Sequence, residues 1–385
     1  MTYSVYQHWD PLKVCIVGRS YGPEFYSFIK NKKVRNILER IAYETEEDFL
    51  KLVSLLESFG VEVLRPTVSN NYKNYLSANG QIYPPPMVPR DHSIMIGDTF
   101  YHNWVSELQV YQDIKADHWP EIKCIEDFKK IDQYMKDEVY AAVNSTGYLS
   151  VLDHRHLLDK IRKNCNIIER PLKSAANILN GALISRVGKD LYIGTWNKDE
   201  TQSKKVAGLF PQYRTTIVNT EGHSDSTFCP IVPGLLVSIG TDEFGVPEMV
   251  SHHETFPGWE VIYPGDNNFS KVKSFLELKQ RNKGKWWVPG EELNNEFIDF
   301  VESWISHWLG YVEETIFDVN ILNIDEKNVI VNSYNEKVFR AFERYGITPH
   351  VVNFRHRYFW DGGIHCITSD IHREGTMKDY FPERG

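Results

Sequence analysis

The stretch WDGGIHCITSDIHREG, residues 360–375, sets two glycines, an isoleucine and a histidine directly before Cys366 and follows them with β-branched residues. A cysteine that only fills space behaves as a small apolar side chain and needs no glycine hinge in front of it. Glycine admits backbone geometry and close approach that a Cβ would obstruct. By its period, IHCITSDI is a closing strand whose successive side chains point to opposite faces. Three readings of Cys366 follow: a buried structural thiol, a metal ligand, or a nucleophile. In a strand His365 faces away from its neighbour and cannot easily share one ion with it, which weakens the metal reading. A nucleophile needs a base brought to it by folding.

Outward from this stretch, short strands and single helices alternate. LKVCIVGR reads as a strand ending at Gly18. Residues 34–59 carry Ile37, Leu38, Ile41, Phe49, Leu52, Val53 and Leu56 near helical spacing, and Gly60 stops the helix. VEVLRP and HSIMIGD are further strands, and ALISRVGKDLYIGT is a hairpin turning at residues 188–190. TTIVNT and LLVSIG flank a histidine-bearing loop, with EVIYPG beyond. EELNNEFIDFVESWISHWLG is an amphipathic helix whose stripe of Leu293, Phe297, Val301, Trp304, Ile305 and Trp308 is core. NVIVNS, a helix through EKVFRAFERYG, and HVVNF complete the series. Periodicity alone leads to a mixed α/β protein. The turn GRSYGPE lacks the glycine spacing of a dinucleotide-binding fold.

The chain has 385 residues, 42% hydrophobic and 25% charged, as in soluble globular proteins. Its net charge of −9 argues against nucleic acid or an anionic membrane as a main partner. It contains no apolar run long enough to span a bilayer, and MTYSVYQHWDPLK lacks the apolar core of a secretory signal. The five cysteines, Cys15, Cys124, Cys165, Cys229 and Cys366, are scattered and form no C-x-x-C pair. That pattern fits a reducing compartment, and a cytoplasmic location is the expectation.

The candidate base is His223 in TEGHSDSTFCPIVPGLLVSIG. If that segment is extended, His223 and Asp225 point to one side. His154, His156, His252 and His253 lack supporting ligand spacing and read as solvated positions. Asp91 ends the proline-stiffened run PPPMVPRD, where an acid is commonly a turn former and could alternatively face a cation.

Four ordered segments, WDPLKVCIVGR, MVPRD, GHSDSTFCPIVPGLLVS and GGIHCITSDIHREGT, resemble the amidinotransferases of the guanidino-group-modifying superfamily, typified by arginine:glycine amidinotransferase. The resemblance spans nearly the whole chain. It implies a single domain over residues 1–385, an α/β propeller of five ββαβ modules about a pseudo-fivefold axis. It implies Cys366 as nucleophile, His223 as acid and base, and Asp91 with Asp225 as holders of a guanidinium. A planar cation with five N–H donors suits two carboxylates, and positive charge near the sulfur would favour its thiolate. The partners implied are a guanidino donor and an amine acceptor. No cofactor or metal is called for, and relatives are often dimers, so a homodimer is the assembly suggested.

Two positions depart from the family pattern. The Asp or Glu that orients the catalytic histidine is replaced, by offset from GKDLYIG, by Asn180, which can still accept a hydrogen bond from the imidazole. The arginine that grips a donor carboxylate falls on Asp242, and YHNWVSELQVYQD lacks the arginines usual there.

Overall fold

The computed structural model describes residues 2–75, 82, 84–103, 111–112, 114–123, 125–145, 155–169, 179–195, 200–220, 222–239, 252–264, 288, 290–291, 294–305, 318–360 and 362–384. Its strands form five sheets of three. β1 (Leu12–Val17) and β2 (Glu62–Leu64) run parallel, joined by the helix Lys32–Ser58. β3 (Ser93–Ile96) and β4 (Thr99–His102) form a hairpin, with β5 (Asn166–Glu169) parallel to β4. The same order recurs in β6 (Ile184–Val187), β7 (Asp190–Gly194) and β8 (Arg214–Val218). It recurs again in β9 (Phe228–Val232), β10 (Leu235–Ser238) and β11 (Glu260–Ile262). β12 (Leu322–Asn323), β13 (Asn328–Val331) and β14 (Thr348–Val351) make the next. The final strand, β15 (Thr368–Arg373), lies antiparallel to β1, so the two ends of the chain complete one module.

Burial orders the strands within each module. β3, β6, β9, β12 and β15 are buried at every residue, whereas β5, β11 and β14 have no buried residue. A strand covered on both faces reads as a continuous apolar run, as FCPIV does. β7 and β10 are likewise buried throughout, so the antiparallel pair forms the buried part of each module and the strand reached through the crossover lies outermost. The helix Lys32–Ser58 shows how the outer layer attaches. The Asn31 side chain caps it by accepting from the Lys33 and Val34 amides, and its stripe from Val34 to Leu56 is buried.

A charge cluster joins the inner strands. Asp370 of β15 receives Arg186 of β6 at 2.7 and 2.8 Å and Arg373 at 2.6 Å. Arg90, just before β3, forms an ion pair with it at 2.9 Å. All four side chains are at most 1% exposed. Further donors reach main-chain carbonyls, Arg186 to Met95, Arg373 to Asp10 and Asn323, and Arg90 to Thr368, while Arg90 Nη2 and Arg186 Nε are buried with no hydrogen-bond partner among the described residues. Burial pushes the Asp370 carboxyl up, but the three guanidinium groups overcome it and hold the acid well below the usual range.

The sequence reading needs three changes. Strands β4, β5, β9 and β12 were not expected, and β9 occupies what reads as a histidine-bearing loop. The closing strand starts at Thr368, because residues 364–367 form a turn with Ile367 N–H bonded to Gly363 O at 3.0 Å. The helix expected across residues 291–310 is described over Asn295–Phe300 and widens to a π turn at Val301–Ile305, while Trp308 lies outside the described residues. No described helix is long and apolar enough to cross a membrane.

Removing the anion of the cluster strands three buried cations. Asp370→Ala is expected to lose about 3–5 kcal/mol of stability in urea unfolding; an unchanged midpoint would show that the cluster does not join the modules.

Candidate active site

Each module enters its antiparallel pair through a short non-strand lead-in, and the candidate residues sit in these lead-ins. Asp91 lies in the helical turn Pro89–His92 before β3. Asn180 caps the turn Gly181–Leu183 before β6, and His223 precedes the turn Ser224–Ser226 before β9. Cys366 lies in the turn before β15. Close packing joins them: a Cβ on Gly181 would stand 2.5 Å from the carbonyl oxygens of Arg90 and Ser93. Ser224 Oγ donates to Leu183 O at 2.9 Å, and Arg90 N–H reaches Cys366 O at 3.4 Å.

The thiol is buried, with Cys366 Sγ 3.5 Å from Asp225 Oδ2. Burial, Asp225 and Asp91 all push its pKa well above the ordinary thiol value, opposed by donors from Gly363 and Asn320. A positive neighbour was expected, but the charges that act most on the sulfur are the acids Asp225 and Asp91. Nor does either glycine of the hinge adopt a positive φ. Gly362 matters instead for contact, since a Cβ there would meet Val88 Cγ1 at 3.2 Å and Ile367 Cγ2 at 3.3 Å.

Asp225 also receives His365 Nδ1 at 2.7 Å. In a strand the two neighbours would diverge, but the turn brings His365 and Cys366 to the same carboxylate oxygen. Burial pushes Asp225 up, yet the hydrogen bond and charge of His365, with His223 and Arg90, leave it below the usual carboxylate range. His365 is pushed down to about 4 by burial and by Arg90, despite Asp225. We therefore take the pair as a carboxylate and a neutral imidazole that donates from Nδ1. Asp225 Oδ1 is buried with no hydrogen-bond partner among the described residues.

His223 faces Asn180. Its Nε2 is 3.0 Å from Asn180 Nδ2, while Asn180 Oδ1 accepts the Ala182 amide at 2.8 Å. That amide fixes the orientation of the Asn180 side chain, so Asn180 donates and Nε2 accepts. This reverses the expected polarity, in which asparagine would accept from the ring. His92 is also close: burial and the charge of His223 push it down to about 3. His223 and Asp225 share the site without the extended backbone assumed from sequence, because the chain enters a helical turn at Ser224.

A fifth lead-in supplies a residue the sequence reading missed. Asn320, before β12, places Nδ2 3.1 Å from Cys366 Sγ. The sequence carried no signal for it, because β12 was not expected and its lead-in was therefore not visible. His156 instead bonds Arg65 O from an exposed position, whereas His154 and Asp242 lie outside the described residues. The segment expected to lack arginines is described only at residues 101–103 and 111–112. Among the described residues, no group of three His, Cys, Asp or Glu is set to hold a metal ion.

Five three-stranded modules, with polar residues in the lead-ins to their antiparallel pairs, define a five-module α/β propeller. The chain is similar along nearly its whole length to amidinotransferases in particular. It is 25% identical to mitochondrial glycine amidinotransferase of Xenopus tropicalis, across 98% of this chain and 84% of the relative. It is 33% identical to L-arginine:L-lysine amidinotransferase of Pseudomonas savastanoi pv. phaseolicola, across 41% of this chain and 33% of that one. The fold matches that of inosamine-phosphate amidinotransferase from Streptomyces griseus, with a TM-score of 0.61 at 17% identity, covering 98% of this chain and 99% of that chain. No family model matches the chain.

Two measurements check the electrostatics. Asp225→Asn removes a negative charge beside the sulfur, so alkylation of Cys366 by iodoacetamide at pH 8 is expected to speed up; a slower or unchanged rate at that peptide refutes the assignment. Asn180→Asp puts a carboxylate beside Nε2 and should raise the titration midpoint of His223, read from its imidazole resonance by NMR, because an adjacent anion favours imidazolium. An unmoved midpoint would mean that Asn180 does not govern the ring.

Proposed function

We propose that this chain transfers an amidino group from L-arginine, or a related guanidino donor, to an amine acceptor such as glycine. The observation that carries the reading is Cys366 Sγ, buried 3.5 Å from the Asp225 carboxylate, whose Oδ1 has no hydrogen-bond partner among the described residues; burial, Asp225 and Asp91 raise the thiol pKa well above its ordinary value. Asp225 Oδ1 can therefore accept from a cationic donor brought to the sulfur. A guanidinium is flat, charged and rich in donors, and two carboxylates would hold it across the sulfur. Its charge would offset Asp91 and Asp225, and the thiol would then ionise where its target lies.

In the proposed reaction, the Cys366 thiolate attacks the central guanidino carbon. The bond from that carbon to the donor's substituted nitrogen breaks, and His223 gives the departing amine its proton. The amidino group remains on sulfur. The acceptor amine then attacks the same carbon, loses a proton to His223, and the carbon–sulfur bond breaks to restore the thiolate. The printed names of the relatives include L-arginine, glycine, L-lysine and inosamine phosphate, which supports arginine as donor while leaving a choice of amine acceptors.

Two other readings use the same acidic cup around the sulfur. Water in place of the amine would make the protein a guanidino hydrolase. Asn180, standing where an acid would support imidazolium, favours a binder that does no chemistry. Incubation with arginine separates the three: ornithine released only with an amine indicates transfer, citrulline or ammonia indicates hydrolysis, and binding without turnover in both wild type and Asn180→Asp indicates a binder.

The covalent step has its own test. Arginine supplied without acceptor is expected to add one amidino group to the peptide containing Cys366, detected by mass spectrometry after a single turnover. An adduct on another cysteine, or none, removes the nucleophile assignment.

A further inference from the structure

The turn carrying Cys366 is held by side chains of the β12–β13 module. Asn332, just after β13, accepts Ile364 N–H through Oδ1 at 3.1 Å. Asn320 Oδ1 accepts the next two amides, His365 N–H at 2.8 Å and Cys366 N–H at 3.3 Å. Three consecutive amides before β15 thus end on two asparagines rather than on a neighbouring strand. Asn332 Nδ2 also donates to Asn320 O at 2.9 Å, which braces one asparagine with the other. Both side chains are at most 2% exposed.

Those amides settle which end of Asn320 faces which group. A flipped side chain would set its NH2 against two N–H donors, so oxygen must face the turn. The nitrogen then faces Cys366 Sγ at 3.1 Å and the main-chain oxygen of Asp225 at 3.1 Å. One rigid side chain thereby spans the sulfur, the backbone that carries it, and the turn that carries its acidic neighbour.

We infer that Asn320 is the positioning residue of the Cys366 sulfur, fixing its backbone with the amide oxygen and polarising the sulfur with the amide N–H. The inference rests on the reading of Cys366 as nucleophile. Around the sulfur, Asp225 and Asp91 disfavour the thiolate, whereas the Gly363 amide and Asn320 N–H favour it. His365 lies against Asp225, and Arg90 and His223 act on the same carboxyl. A neutral donor suits this place because it stabilises sulfur charge without occupying the cup with a fixed cation.

The test follows alkylation of Cys366 by iodoacetamide across pH, with no donor present, using peptide mass spectrometry. Asn320→Asp keeps an oxygen for the two amides and turns a second oxygen toward sulfur. Its labelling rate below the thiol pKa is expected to fall by about ten-fold or more, corresponding to about one pKa unit upward. Loss of structure alone would expose the thiol and accelerate labelling, so a faster or unchanged rate overturns the inference. Labelling of Cys165 at its wild-type rate confirms that the variant remains folded. In the wild-type protein the His365 and Cys366 amides should resist hydrogen exchange, and rapid exchange would overturn the clamp without any variant. Amidino transfer to Cys366 at an undiminished single-turnover rate in Asn320→Asp also overturns it while sparing the proposed reaction. Absence of any amidino adduct in the wild type, with Asn320-dependent labelling retained, overturns the reaction and leaves the positioning role standing.

Discussion

The structure depends on a carboxylate placed where water cannot reach it. Asp370 gathers Arg90, Arg186 and Arg373, and their spare N–H groups bind main-chain carbonyls in or beside β3, β12 and β15. An isolated buried guanidinium would be costly, and three would repel one another, so the anion and carbonyls are required together. The arrangement also couples fold to site. Arg90 immediately precedes Asp91, and Arg90 spans the chain between Asp370 and the turn that carries Cys366. A displacement of the cluster would therefore be felt by both sides of the proposed guanidinium cup.

Above that cationic hub the candidate site carries the opposite sign. Asp225 and Asp91 act on a buried thiol, and His365 is a neutral imidazole rather than a second cation. The two signs are thus separated, with the guanidinium groups turned to Asp370 and main-chain carbonyls and the acids turned to the sulfur. In the proposed reaction, the positive charge of the donor would offset these acids and favour the thiolate. A neutral electrophile would bring no such charge, so the same proposal disfavours reaction with it.

Much of the architecture was legible because β1, β3, β6, β7, β10 and β13 carry strong apolar runs between turn residues. β5 and β12 were harder to read: one is short with no buried residue, and the other has only two residues. β9 hid behind Pro230, which period-based reading takes as a break in a strand. For the candidate site, local motifs singled out Cys366, His223, Asp225 and Asp91, and family offset singled out Asn180. Local spacing could not reveal Asn320, whose importance comes from contacts made 46 residues away in the chain. Nor could it give the direction of the Asn180 hydrogen bond, which is decided by the Ala182 amide. The strand assumption failed at residues 364–367 because side-chain acceptors replaced ladder partners there.

Closure of the first module by β15 against β1 has a temporal consequence. A ribosome completes the acids, imidazole and supporting asparagines before it adds the thiol, and the last inner strand must then find the first one made. The candidate site is thus completed only as β15 pairs with β1. Under the proposed reaction, a chain ended before residue 366 would carry the acids and the imidazole but no sulfur to attack with.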